Sequence, residues 1–264
     1  MKKSAFSCLP FLERDRKPRN KGINYVRAPV MVGQCINDYL DAYSDLVDIF
    51  KLSGKQAAMM SQSSLVQFIS TCKEYEVLVA IGNPVMDVAL VGGINVVDEF
   101  LDNLVKYEVD IIEISSIARS IDDEDMCRLI ESASKRGLKV INEIGVAFAH
   151  FEVLDKNIFL ERLTQQSKRF IEAGSWKILL ESEGLTENID EKDYRWHIID
   201  KIISPLNLNQ FMVEADDQDV LSKYIEIYGP NVNMMIDHTR LLKVEDARIG
   251  YGPSQFLWGK VVRY

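Results

Sequence analysis

Histidine and cysteine are scarce in this chain, and each shortage argues against a class of chemistry. There are three histidines and four cysteines in 264 residues. Cys8, Cys35, Cys72 and Cys127 stand apart with no CxxC pair, which argues against a zinc site or a disulfide frame and predicts reduced thiols in a cytoplasmic compartment. His150 and His197 fall on a predicted loop and a predicted helix and read as surface groups. No apolar run approaches the length of a membrane span. The lead carrying Lys2 and Lys3 is interrupted by Cys8, Pro10 and Glu13, so it does not read as a secretory leader. Basic residues are outnumbered 31 to 40, and the formal charge of −9 opposes nucleic acid and anionic membrane surfaces. One basic concentration exists, at Arg14, Arg16, Lys17, Arg19 and Lys21; it is short, lacks interleaved aromatics and reads as a solvated or phosphate-facing arm. Neither a GxGxxG turn nor a P-loop lysine motif is found, which weakens the usual nucleotide-binding readings.

What the chain does have is alternation. Short apolar runs at 23–26, 46–52, 77–81, 110–115, 138–144, 176–180, 210–213 and 232–236 have the length and apolarity of buried parallel strands. Helical spacing covers 37–43, 61–75, 96–107, 122–136, 157–172, 192–203, 217–228 and 242–249, with Asp122 placed as an N-cap. Eight strands separated by about one helix each are the period of an α/β chain folded as a single (β/α)8 TIM barrel over 1–264. Residues 1–21 form a basic lead, and 250–264 a tail that Tyr251 and Trp258 would pack onto the barrel. The run from Gly229 to His238 reads as turn, buried strand and polar end, and closes the barrel as its eighth strand.

A barrel keeps its chemistry at the C-terminal ends of its strands, and the charged residues fall there. Lys51 closes the second strand, Glu113 the fourth, Glu143 the fifth, Glu181 and Glu183 the sixth, Glu214 the seventh, and Asp237 with His238 the eighth. Any one such acid is more often structural than catalytic, but acids on five strands of one face shift the odds. A ring of carboxylates around one lysine is costly to bury without a cation, and hard oxygen donors without clustered histidines suit Mg²⁺ better than Zn²⁺. For Lys51 the alternatives are a plain salt bridge and an ammonium that neutralises an anionic intermediate. His238 reads equally as an end-of-strand histidine and as a proton carrier.

Several short motifs then form an ordered series: Lys17-Pro18-Arg19, Asp48 to Lys51, Glu113-Ile114-Ser115, Glu143-Ile144-Gly145, Glu172-Ala173-Gly174, Glu181-Ser182-Glu183-Gly184, Glu214-Ala215, Gly229-Pro230-Asn231-Val232-Asn233, Asp237-His238 and Glu245 to Gly250. Together they resemble the phosphosulfolactate synthase family. That resemblance implies a lyase-type barrel that uses Mg²⁺ to add sulfite to phosphoenolpyruvate through an enediolate-like intermediate. By that resemblance Lys51 would stabilise the developing charge, Arg19 would anchor a phosphate or carboxylate, and Glu113, Glu143, Glu181 and Glu214 would hold Mg²⁺ directly or through water. The site expected here takes Lys51 and Glu113 as catalytic residues, Arg19, Arg27, Ser115, Asn231 and His238 on the substrate, and Glu143, Glu181 and Glu214 on the metal. The expected partners are a small phosphoenolpyruvate-like anion and further copies of the chain in a homo-oligomer, with neither nucleic acid nor membrane. Departures lie in the first half. Arg27 stands where the family usually has Asp, Leu52-Ser53-Gly54-Lys55 replaces a Gly-rich turn, Gly82-Asn83-Pro84 replaces Pro-Gly-Gly, and Val146-Ala147 stand where a lysine is common. Some members of the family are associated with heat stress, so a non-catalytic stress-associated or binding barrel is the alternative function; a third reading keeps the metal and enolate chemistry with another nucleophile in place of sulfite.

Overall fold

The structure, a computed structural model, describes residues 6, 8, 14–30, 33–115, 121–145 and 156–249. Eight parallel strands close into a barrel: β1 (Asn24–Arg27), β2 (Ile49–Leu52), β3 (Leu78–Ile81), β4 (Ile111–Ile114), β5 (Lys139–Ile144), β6 (Lys177–Leu180), β7 (Phe211–Glu214) and β8 (Asn233–Asp237). Closure is made by β1 pairing with β8, with Arg27 opposite Asp237, and with β2 on its other side, where Arg27 stands opposite Lys51. Around the barrel run α1 (Gln34–Tyr43), α2 (Gly54–Met59), α3 (Gln62–Glu74), α4 (Val85–Val91), α5 (Ile94–Lys106), α6 (Asp123–Lys135), α7 (Lys156–Glu172), α8 (Trp196–Ile203), α9 (Gln218–Tyr228) and α10 (Leu241–Arg248). Asp122 caps α6 as expected, its carboxylate accepting from the Glu124 N–H at 2.8 Å.

Two of these helices, α2 and α4, are absent from the sequence reading, and the reason is physical. In α4 the apolar residues do not form an inward stripe: Val88 and Val91 are 67% and 65% exposed, while Asp87 is buried beside Met86 and Ala89. At the start of α2, Gly54 approaches the turn after β3 so closely that a Cβ there would meet the Gly82 carbonyl at 2.5 Å. The Gly54 N–H donates to the Asn83 carbonyl at 3.2 Å, which ties the two turns together. The missing side chain at 54 thus fixes the loop that carries Gly82 and Asn83.

The strands are buried on both faces, and the two-residue period of a strand separates two cores. Val26, Phe50, Val79, Ile112, Val140, Ile178, Val213 and Met234 face the helices. Ile23, Tyr25, Ile49, Ala80, Ile111, Ile141, Leu179, Met212 and Met235 fill the barrel interior. Two residues further along each strand, the same inward row holds Arg27, Lys51, Gly82, Glu113, Glu143, Glu181, Glu214 and Asp237. An apolar plug therefore lies beneath a charged layer.

The opposite end of the barrel is locked by ions of its own. Arg19 donates to Asp48 at 2.9 Å and to the Asp45 carbonyl at 2.9 Å, and Asp48 also accepts from the Asn24 N–H. Glu245 of α10 accepts from Arg14 and, at 2.6 Å, from the Asn24 amide, whose oxygen takes two bonds from Arg248. Asn231 accepts from the Gly22 N–H at 2.7 Å in the same layer. Arg19 and Asn231 precede β1 and β8, so they sit at the N-terminal ends of the strands, one strand length (~13 Å) from Lys51 and the glutamates. The expectation that both touch substrate in the strand-end site is corrected on that ground. Burial, reinforced by Arg14 and only partly opposed by Glu245, pushes the Arg248 guanidinium down to about 9. Glu245→Ala leaves two arginines without their shared counter-ion and is expected to lower unfolding free energy by ~3–5 kcal/mol, read from urea denaturation. The expected tail packing of Tyr251 and Trp258, and the Val146-Ala147 departure, lie outside the described residues.

Candidate active site

The charged layer is built as follows. Glu113, fully buried on β4, accepts from the Lys51 ammonium at 2.7 Å, the Tyr25 hydroxyl at 3.0 Å and the Asn83 N–H at 3.2 Å. Lys51 also lies 3.3 Å from the Met235 sulfur, and its ammonium stands 5.7 Å from the centre of the Tyr25 ring. Burial lowers the Lys51 pKa, but Glu113 and Glu143 more than offset it, and the ammonium is held above its usual range. The Asn83 amide donates at 3.0 Å to Glu143 and so links it to the same group.

Lys51 has room to lie here because position 82 has no side chain. A Cβ on Gly82 would collide with Lys51 Cε and stand 3.2 Å from Glu113 Oε1. Gly82→Ala is expected to displace the ammonium from Glu113, lowering kcat by about tenfold to a hundredfold and the unfolding free energy by ~1–3 kcal/mol; steady-state kinetics beside urea denaturation checks both halves.

Glu143, Glu181 and Glu214 end three consecutive strands, and each offers an oxygen within 4.8 Å of the other two. Burial, then Glu113, pushes Glu143 up to about 8 despite Lys51. Burial, then Glu143 and Glu214, pushes Glu181 up to about 9. Glu181 Oε2 is buried with no protein partner. Three converging carboxylates, two of them pushed toward the neutral form by burial first and by neighbouring carboxylates second, are a donor set that a hard divalent cation satisfies. The group fits Mg²⁺ on the chemistry of its oxygens.

Arg27 pairs with two acids from the end of β7: one arm of its guanidinium donates to Glu214 and the other to Asp216. The second oxygen of Glu214 accepts from the Ser182 N–H at 3.3 Å. Ser115, 1% exposed, continues the inward row of β4 past Glu113. His238 has turned into a single 3-10 turn. Its Nδ1 lies 3.4 Å from Asp237, and Asp237 is itself engaged in capping Thr239. The structure thus gathers Lys51, Glu113, Glu143, Glu181, Glu214 and Arg27 into one layer, buries Ser115 two residues past Glu113, sets His238 beside Asp237, leaves Glu183 exposed, and separates Arg19 and Asn231. Tyr25, Gly82, Asn83 and Asp216 belong to the site and were not singled out from the sequence. The available signals were the inward alternation of Tyr25 with Arg27 and the departure at Gly82-Asn83-Pro84.

Residues 12–252 match the model of the family described as (2R)-phospho-3-sulfolactate synthase (ComA). The chain is 23% identical over 256 residues to Protein HEAT-STRESS-ASSOCIATED 32 of Arabidopsis thaliana, covering 89% of this chain and 88% of that one. It is 24% identical over 225 residues to the phosphosulfolactate synthase of Methanothermobacter thermautotrophicus, covering 84% and 85%. Among solved structures, D-psicose 3-epimerase from Clostridium cellulolyticum superimposes with a TM-score of 0.50 at 12% identity, over 87% of this chain and 96% of that one. At that identity the likeness is one of fold alone.

Proposed function

The chain belongs to the (2R)-phospho-3-sulfolactate synthase family, and from that premise we propose that its charged strand-end layer catalyses addition of sulfite to phosphoenolpyruvate. The observation that carries the reading is the Lys51 ammonium, held 2.7 Å from a fully buried Glu113 and within electrostatic reach of Glu143 and Glu214, two members of the carboxylate triad. Mg²⁺ held by those three carboxylates would supply positive charge for an anionic substrate and its developing negative charge.

The protein's own residues do the rest. Arg27 and Ser115 stand at the layer to orient the anion. The sulfite sulfur uses its lone pair to form a bond to the methylene carbon. The C2–C3 π pair moves to C2 and into the carboxylate, giving an enediolate-like dianion. Lys51 stabilises that charge at close range in a buried setting, where a fixed ammonium acts far more strongly than in water. C2 then takes one proton. The carbon base is much stronger than an amine, so Lys51 can supply it even from an ammonium held above its usual range. Glu113, with Tyr25 and Asn83, keeps Lys51 pointed at that position.

The experiment is a thermal shift with phosphoenolpyruvate, with and without Mg²⁺. The expected result is a rise in melting temperature by phosphoenolpyruvate that requires the cation; no shift under either condition overturns the reading. The second reading is a stress-associated barrel without catalysis: the name of the Arabidopsis relative suggests the stress association, and Arg27 occupying Glu214 favours the loss of activity. It gives binding without a sulfonate product.

A further inference from the structure

We infer that Arg27 is a resident counter-cation competing with a divalent cation for Glu214, so that cation entry frees the guanidinium to grip the anionic substrate and the two ligands bind as a coupled pair. This rests on the functional reading above and says how that site is regulated.

The three carboxylates of the triad are unequally engaged. Glu181 has an oxygen with no protein partner, and Glu143 takes a hydrogen bond from the Asn83 amide. Glu214 alone of the three carries a full opposite charge on one oxygen, from Arg27, and a backbone N–H on the other. A divalent ion drawn to all three carboxylates must meet that guanidinium across a shared carboxylate, where like charges repel. The guanidinium has somewhere to go. It is 31% exposed, and its second arm is already on Asp216, a half-exposed residue that can serve as a pivot while the arm on Glu214 lets go. The other charged neighbours are Asp237, opposite Arg27 on β8, and Lys51, opposite it on β2. Lys51 is committed to Glu113, so among the described residues of the layer Arg27 is the cation free to change partner. A released guanidinium presents the planar fork that carboxylates and phosphates bind in bidentate fashion. Because coupling is reciprocal, the anion that holds Arg27 away from Glu214 also tightens the cation.

The test is calorimetric, with Mg²⁺ alone and with Mg²⁺ plus phosphoenolpyruvate, on the full chain and on Arg27→Met. Removing a ligand-shell residue ordinarily weakens a metal site; here Arg27→Met is expected to bind Mg²⁺ about tenfold more tightly while binding phosphoenolpyruvate about tenfold more weakly. Arg27→Gln repeats the measurement should the methionine variant fold poorly. Lys55→Met, which removes an exposed charge just beyond β2, is expected to change Mg²⁺ affinity by less than about twofold. Equal or weaker Mg²⁺ binding by both Arg27 variants overturns this inference and leaves the functional reading standing, as does an equal tightening by Lys55→Met. Absence of Mg²⁺ binding from wild type and variants alike overturns both.

Discussion

Lys51→Met is expected to lower turnover by about a thousandfold or more, the scale of removing a fixed charge that acts on a developing anion. The same change should also cost ~3–5 kcal/mol of stability, because Glu113 would remain fully buried with its counter-ion gone. The two effects have different origins and can be separated. In Lys51→Met/Glu113→Gln the buried charge is removed together with its partner, and the neutral amide can still bond to Tyr25 and Asn83. Stability should then recover most of its loss while turnover stays at the level of the single variant. If Lys51 were a plain salt bridge, the double variant would recover turnover along with stability. Urea denaturation and steady-state rates on the same preparations decide between them.

Glu181→Gln should weaken Mg²⁺ binding by at least about a hundredfold, since outer-sphere changes alone commonly cost tenfold to a hundredfold. Unusually for a loss of function, it should also stabilise the cation-free protein above neutral pH. The sign follows from the carboxyls. Glu143 and Glu181 are raised from an ordinary 4.5 to about 8 and about 9, mainly by burial. In that window the folded protein binds more protons than the unfolded chain, so stability is fully present below about pH 4.5 and declines as pH rises toward 9. Saturating Mg²⁺ should flatten this decline, and apparent Mg²⁺ affinity should rise over the same range as the protons leave. Melts from pH 5 to 9, with Mg²⁺ or a chelator, read all of this. A cation-free melting temperature that rises steadily to pH 9 would contradict it.

Most of the charged layer was legible because a strand repeats every two residues. Ile49 and Lys51, Ile111 and Glu113, Ile141 and Glu143, Leu179 and Glu181, and Met212 and Glu214 are successive inward positions, and the charged member always lies on the C-terminal side. The eightfold alternation was equally readable, since parallel strands buried on both faces leave uniform apolar runs. Tyr25 was not, because an inward aromatic looks like plug, and the acid its hydroxyl needs comes from β4. Asn83 lies in a turn, where no period identifies it, and its role depends on Gly54 letting two loops meet. Arg19 and Asn231 were assigned to substrate through the motifs around them. Their positions ahead of a strand, not behind one, already placed them at the other end of the barrel, where Asp48 and the Gly22 N–H are their partners. Arg27 was visible as a residue but not as an ion pair, for Asp216 lies 189 positions away.

The most direct measurement is incubation of the protein with phosphoenolpyruvate, sulfite and Mg²⁺, followed by mass spectrometry of the products. The account predicts a phosphorylated sulfonate of the mass of both reactants combined. It should form only with the cation present and disappear in Lys51→Met. Phosphoenolpyruvate and sulfite recovered unchanged, from a protein that binds Mg²⁺, would contradict it.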